Sequence, residues 1–337
     1  MIDEIKRRAL FVFIGFADEY SLAPLYRRMR ATGFDCIEIN EFAEDSIDAL
    51  TAARESDRLR VLLTSQRMNF GKSSRWALRT TLGVTTPFTT ALEAHALLQP
   101  HFAVAAPHTL NLPSFPEEAP MLRVFDLYLA SSEDERCFAP YCPVEVVGWL
   151  KSDVLRDAPG RLELRNNAVW LALFTDRTAP QIGFDKWADM VAGIIDGKCS
   201  IKFAVWPGTS ELETALRKRG QHIIPASVPI VPLAQTADWI ICNGASGVVQ
   251  ECRMLGRKIY LYPDERLCDA SEMQRMWTVA QEPNCRIVRT LDEVFLSQPD
   301  AKLAQDWDPS RTLDAAIDAV LRHLWPAMAR TEQRLRP

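Results

Sequence analysis

Ala237–Pro263, ADWIICNGASGVVQECRMLGRKIYLYP, reads as strand, small-residue turn, helix, strand. Trp239-Ile240-Ile241-Cys242 is a short apolar run of the kind that makes a parallel strand buried on both faces. Asn243-Gly244-Ala245-Ser246-Gly247 then turns the chain without bulky side chains, and a helix is expected from Val248. The N–H groups of its first turn have no intrahelical acceptor and carry the positive end of the peptide dipoles. A phosphate fits against them, with the Ser246 hydroxyl as a further donor. Glu251 falls a turn later, where a carboxylate can accept hydrogen bonds from two adjacent ribose hydroxyls. An ordinary βα corner capped by Ser246 is the other reading of the same residues.

The whole chain of 337 residues is long enough for two cores of about 150 residues each. Its 47% hydrophobic and 25% charged residues suit a globular fold, and no apolar run approaches the roughly 20 residues of a membrane helix. Ala9–Phe16 is too short for a signal-peptide core with its cleavage site and runs directly into Asp18 and Glu19, so a cytoplasmic protein is expected. Eight cysteines are scattered without CxxC pairs, which suits reduced core residues better than a zinc site or a disulfide scaffold. A net charge of −5 argues against broad capture of nucleic acid. Two basic clusters, Arg67–Arg79 with Trp76 and the tail carrying Arg330, Arg334 and Arg336, read as solvated faces.

Apolar runs and helical patterns alternate along the chain. Ala9–Ile14 reads as a strand, Leu22–Arg30 as a helix closed by Gly33, and Cys36–Ile39 as the next strand. Asp45–Glu55 reads as a helix, and Arg60–Thr64, Phe102–Ala105, Leu127–Ala130 and Val144–Val147 as strands. Lys151–Arg165, polar and broken by Pro159-Gly160, has the composition of a linker. A second series follows, with strands at Ala168–Phe174, Ser200–Val205, His222–Ile224 and Trp239–Cys242 and helices at Phe184–Asp196 and Glu211–Lys218. Asp314–Arg330 is a last helix with Ile317, Val320, Leu321 and Leu324 on one face. This order predicts an α/β protein of two Rossmann-like doubly wound domains facing each other across a cleft. The expected divisions are 1–155 for an acceptor domain, 156–310 for a nucleotide-donor domain, and 311–337 for a C-terminal helix and tail that pack back across the domains.

Several short motifs carry a resemblance. Ser246-Gly247-Val248-Val249-Gln250-Glu251 is similar in register to the Ser-Gly-Gly-x-Gln-Glu run of the UDP-N-acetylglucosamine 2-epimerases. The same turn resembles that of the CDP-glycerol glycerophosphotransferases, and other matches to that family follow in order. They are Pro107-His108-Thr109, the strand Phe125–Ala130 ending in Ser131-Ser132-Glu133, Gly148-Trp149-Leu150-Lys151-Ser152-Asp153-Val154-Leu155, and Phe174-Thr175-Asp176-Arg177. One position departs from it: Trp206, before Pro207, stands where the family has histidine. On these residues the chain resembles the nucleotide-sugar glycosyltransferases of GT-B type.

That resemblance implies a nucleotide-sugar donor, UDP-linked or CDP-linked, bound as substrate, no tightly bound cofactor, and transfer to a hydroxyl acceptor. The acceptor is a glycan, a small molecule or, less favoured, a modified nucleobase. The alternatives are a CDP-polyol phosphotransferase of the teichoic-acid type and a non-catalytic nucleotide-sugar-binding protein. His108 follows an apolar strand and suits a general base, with Asp18 as its rival; a loop histidine and a helix cap are the plainer readings. Arg177 and Lys202 suit the donor diphosphate, Ser246, Gly247 and Gln250 the nucleotide turn, Glu251 the ribose, and Val228 in the proline-rich Pro225–Pro232 the base. No Asp-x-Asp pair is placed to grip a metal and a diphosphate, and His95 and His101, six apart, read as structural. Catalysis without a metal is therefore expected.

Overall fold

The computed structural model describes residues 1–14, 22–39, 45–65, 91–107, 116–150, 170–174, 182–203, 209–224, 233–234, 236–244, 249, 251–252, 255–268, 270–281, 284–295 and 309–335. The chain divides into two compact units, one made of Met1–Asp157 with Asp308–Pro337 and the other of Ala158–Trp307.

In the first unit, strands β1 (Ala9–Ile14), β2 (Cys36–Ile39), β3 (Leu59–Thr64), β4 (Phe102–Ala105), β5 (Leu127–Ala130) and β6 (Val144–Val146) form one parallel sheet in the order β2-β1-β3-β4-β5-β6. All six residues of β1 are buried, as a strand covered on both faces requires. Side chains alternate between faces along a strand, and the core splits accordingly. Phe11, Phe13, Val61, Leu63, Val104 and Leu127 pack on one side with Leu25 and Met29 of the helix α2 (Ala23–Ala31). Val12, Ile14, Leu62, Ala103, Ala105 and Tyr128 pack on the other with Leu50 of α3 (Ser46–Arg54) and Ala94 of α4 (Ala91–Leu98). Helix α2 ends as the glycine at position 33 predicts: Gly33 has φ +86°, and Phe34 N–H returns to the Met29 carbonyl at 3.1 Å.

The C-terminal helix Pro309–Leu335 belongs to this unit. Its Leu313, Ile317, Val320, Leu321 and Leu324 join the same core face as α2. Arg28 donates to both oxygens of Asp314 (3.0 and 3.2 Å), and His323 Nε2 lies 2.9 Å from Glu145 on β6. The amino-terminal helix α1 (Ile2–Arg8), which apolar periodicity does not announce, buries only Ile5. His95 packs edge-on against Phe125, and His101 Nδ1 accepts from the Arg60 N–H at 3.1 Å, both local structural duties.

The second unit holds β7 (Trp170–Phe174), β8 (Ser200–Phe203), β9 (His222–Ile223), β10 (Trp239–Cys242), β11 (Ile259–Leu261) and β12 (Cys285–Ile287), all parallel, in the order β12-β11-β10-β7-β8-β9. Its described helices include α5 (Phe184–Ile195), α6 (Thr209–Lys218), α7 (Ala270–Val279) and α8 (Leu291–Phe295). Helix α5 buries Trp187, Ala188, Val191 and Ile195, spaced to share one face. Six of the eight cysteines are buried. Burial raises Cys36, Cys142, Cys199, Cys242 and Cys252, with Cys199 pushed up to about 12, so these five thiols stay protonated at neutral pH. No helix among the described residues is long and apolar enough to cross a membrane.

Candidate functional site

The strand order of the second sheet decides where a ligand fits. From β7 the chain runs outward through β8 and β9 on one side, then crosses back to place β10, β11 and β12 on the other. In doubly wound sheets the helices that follow two such central strands lie on opposite faces, and the loops that lead to them diverge. The carboxyl ends of that strand pair are the usual ligand site of doubly wound folds. Leu173 of β7 is in register with Cys242 of β10, so the carboxyl ends of the two central strands fall at Phe174 and Cys242. Asn243 and Gly244, the first residues of the small-residue turn, stand there and are buried.

Glu251 lies in the helical segment that follows, with Val249 and Cys252 also helical. It is 9% exposed. The segment closes at Gly256, φ +67°, with Leu255 N–H on the Glu251 carbonyl (3.1 Å) and Arg257 N–H on the Cys252 carbonyl (3.0 Å). The buried Arg257 side chain donates to the Ala237 carbonyl, which ties the end of this segment to the approach to β10.

Lys202 is a residue of β8, paired in register with Leu173, and only 3% of it is exposed. Burial brings its ammonium down to about 8, against the opposing pull of Glu213 on α6. It is therefore a cation held within the sheet. Ser200, on the same face of β8, is bonded to His222 Nδ1 on β9 at 2.7 Å.

His108, Asp18, Arg177, Val228, Ser246, Gly247 and Gln250 lie outside the described residues, as do Arg67–Arg79, Trp206 and the linker Lys151–Arg165. Lys202 and Glu251 both belong to the second unit, one on β8 and one in the segment after β10.

The structure adds a group that sequence reading passed over, at the carboxyl end of β11. Asp264 accepts from the Arg266 backbone N–H and Nε, both at 2.9 Å, from the other arm of the same guanidinium, and from the Tyr262 hydroxyl at 3.0 Å. The guanidinium beside it is the main reason its carboxyl sits below the usual range, while burial first and Asp264 second push Tyr262 up. The Arg266 side chain is 57% exposed, so an anchored cation faces solvent one strand away from the turn that follows β10. The signal was present as Pro263-Asp264-Glu265-Arg266, a polar run directly after an apolar strand. Its value depends on β11 lying beside β10.

No protein-family model matches the chain, and no curated protein does. Among solved structures it is similar to the UDP-N-acetylglucosamine 2-epimerase of Rickettsia bellii, with 13% identity and a TM-score of 0.54 over 97% of this chain and 99% of that one. It is also similar to a protein of Listeria monocytogenes assigned as a UDP-N-acetylglucosamine 2-epimerase, with 11% identity and a TM-score of 0.50 over 94% and 96%. A third is the wall teichoic acid polymerase TagF, at 10% identity and a TM-score of 0.49 over 100% of this chain and 92% of that one. With identities this low the likeness is one of fold: the chain is an α/β protein of two Rossmann-like units, of the GT-B type that it shares with the UDP-N-acetylglucosamine 2-epimerases.

Proposed function

We propose that the chain is a glycosyltransferase that moves a sugar from a nucleotide-sugar donor to a hydroxyl acceptor without a metal ion. The strand order of the second sheet carries this reading, because it sets the carboxyl end of β10, where the Asn243–Gly247 turn begins, at the point where a doubly wound sheet receives its ligand. The donor diphosphate is assigned to the turn, through Ser246, Gly247 and the N–H groups ahead of Gln250, and the ribose hydroxyls to Glu251. Lys202, Arg177 and Arg266 are the proposed cations for the diphosphate, and Val228 the contact for the base. A UDP-linked donor is favoured, since both fold relatives with the higher scores are named for UDP-N-acetylglucosamine.

In the proposed reaction the acceptor oxygen forms a bond to the anomeric carbon as the bond from that carbon to the diphosphate oxygen breaks. The hydroxyl proton passes to His108, or to Asp18 in its place, and the leaving nucleoside diphosphate takes the bonding pair. Negative charge grows on the diphosphate in the transition state, where fixed cations and oriented N–H groups stabilise it most. The protein is proposed to be cytoplasmic and to hold no permanent cofactor.

Calorimetry with UDP, CDP, CMP, GDP, ADP and TDP tests the reading. One nucleoside diphosphate should bind the wild type and bind Glu251→Ala at least about tenfold more weakly, the loss of a charged hydrogen-bonding partner. Absence of binding by all six would sink the proposal. The ordered motifs at Pro107-His108-Thr109 and Phe174-Thr175-Asp176-Arg177 sustain a second reading, transfer of a polyol phosphate from a CDP-linked donor. Release of CMP instead of a nucleoside diphosphate would establish it. Nucleotide binding without turnover on any acceptor would leave a sensor protein.

A further inference from the structure

Two consecutive carbonyls at the end of β10 are held by one loop of the neighbouring strand. The Cys242 carbonyl accepts from the Tyr262 N–H at 2.7 Å, and the Asn243 carbonyl accepts from the Cys268 thiol at 2.8 Å. Between those two contacts the loop is closed on Asp264. Its carbonyl accepts from the N–H groups of Leu267 and Cys268, both at 2.9 Å, and its carboxylate takes the Tyr262 hydroxyl and the Arg266 backbone. Tyr262, Asp264, Cys268 and Asn243 are all buried, so the contacts are shielded from competing water.

Small residues turn the chain easily and for the same reason do not choose one path for it. The Asn243 carbonyl belongs to the peptide that leads into Gly244, so holding it also fixes the Gly244 N–H of the same planar unit. We infer that Cys268 is a positioning residue for the nucleotide turn: its thiol holds the Asn243 peptide, and with it the Gly244 N–H where the proposed turn begins. This rests on the nucleotide-binding reading above. Cys268 touches no substrate and takes no part in bond making. Its conserved-shape replacement Cys268→Ser keeps a donor at the same place, and Cys268→Ala removes it.

The test is calorimetry of wild type, Cys268→Ala and Cys268→Ser with whichever of UDP, CDP, CMP, GDP, ADP and TDP binds the wild type most tightly, alongside thermal melts of each protein. Cys268→Ala should weaken binding about fivefold, the factor that corresponds to one hydrogen bond of about 1 kcal/mol, and Cys268→Ser should stay within about twofold of wild type. A thiol that only packs would change the melts and leave affinity alone. If wild type binds and Cys268→Ala binds equally well, the inference fails while the nucleotide reading stands. If Cys268→Ser is as weak as Cys268→Ala, or if Cys268→Ala does not fold and Cys268→Ser is more than about fivefold weak, the hydrogen bond is not what positions the turn. A wild type that binds none of the six overturns both.

Discussion

In the first unit the loop after β5 turns on Glu135, and in the second the loop after β11 turns on Asp264. Each loop leaves the carboxyl end of a parallel strand, and each carboxylate accepts from a tyrosine hydroxyl, Tyr128 at 3.3 Å and Tyr262 at 3.0 Å. Each also takes a backbone N–H of its own loop, from Ser131 and from Arg266. They nevertheless titrate in opposite directions. Glu135 is pushed up because burial outweighs its bonds to Ser131, Ser132 and Tyr128, all uncharged donors. Asp264 is held down chiefly by the Arg266 guanidinium. A carboxylate closed by neutral donors makes a loop that is satisfied within itself. One closed by an arginine that remains more than half exposed makes a loop that also displays a cation. The same local device thus serves packing in one unit and leaves a cation on display in the other.

The largest test of that contrast concerns Lys202, another described cation of the second unit that is proposed to meet the diphosphate. Its folded-state value of about 8 lies below the ordinary 10.5, so folding disfavours its charge at neutral pH. Lys202→Met should raise stability at pH 7 by something on the order of 2 kcal/mol while weakening nucleotide binding. The stability gap should close as pH rises from about 8 to about 10.5, where the unfolded chain still holds the proton and the folded one has lost it. Urea titrations across that range check it. A gap that widens with pH would show that the lysine is stabilised by its surroundings.

A smaller effect is expected from the displayed cation. Arg266→Ala should weaken binding of the nucleoside diphosphate about tenfold, the worth of about 1.4 kcal/mol, while Glu135→Gln leaves it unchanged. Equal losses in both variants would erase the distinction between the loops. Gly148→Ala probes the first unit alone. Gly148 has φ +92°, and an added Cβ would stand 3.0 Å from Thr312 Oγ1 of the C-terminal helix. The variant should lose about 1–2 kcal/mol by chemical melting, with nucleotide affinity intact.

The smallest effect is the opposite pH response of the two carboxylates. Glu135, raised in the folded state, contributes stability at acid pH that is lost as pH rises through its folded value. Against Glu135→Gln the wild type should therefore fall behind from acid toward neutral pH. Asp264, depressed in the folded state, contributes above its unfolded value of about 3.9 and loses that contribution as pH falls. Against Asp264→Asn the wild type should lose its advantage on acidification. Melting temperatures of the three proteins from about pH 3 to about pH 8 would show the two trends, and parallel trends would break the comparison.

Local order was legible because local order is a matter of period and punctuation. The apolar runs at Phe102–Ala105, Leu127–Ala130 and Trp239–Cys242 are strands with the expected ends, and Ile317, Val320, Leu321 and Leu324 share a buried helix face as their spacing requires. Helix α1 escaped reading because IDEIKRR buries a single residue, so there is no apolar period to detect. Lys202 resisted for a different reason: a lysine in an apolar strand carries no mark of whether its end is wet or dry. Asp264 and Arg266 were plain as residues and silent as a group, since their neighbours are Tyr262 of the same loop and, through Cys268, Asn243 just after another strand.

The sequence by itself determined the α/β class and the parallel strands, because burial on both faces leaves a pattern within a few residues. Only the tertiary structure decided that β10 lies against β7 and β11, that the C-terminal helix packs on the first unit, and that Cys268 reaches the Asn243 carbonyl. Those are choices of partner between segments far apart in the chain, made by the closing of a common core and by the hand of the crossovers. A short run of residues records what it can bury and cannot record against whom.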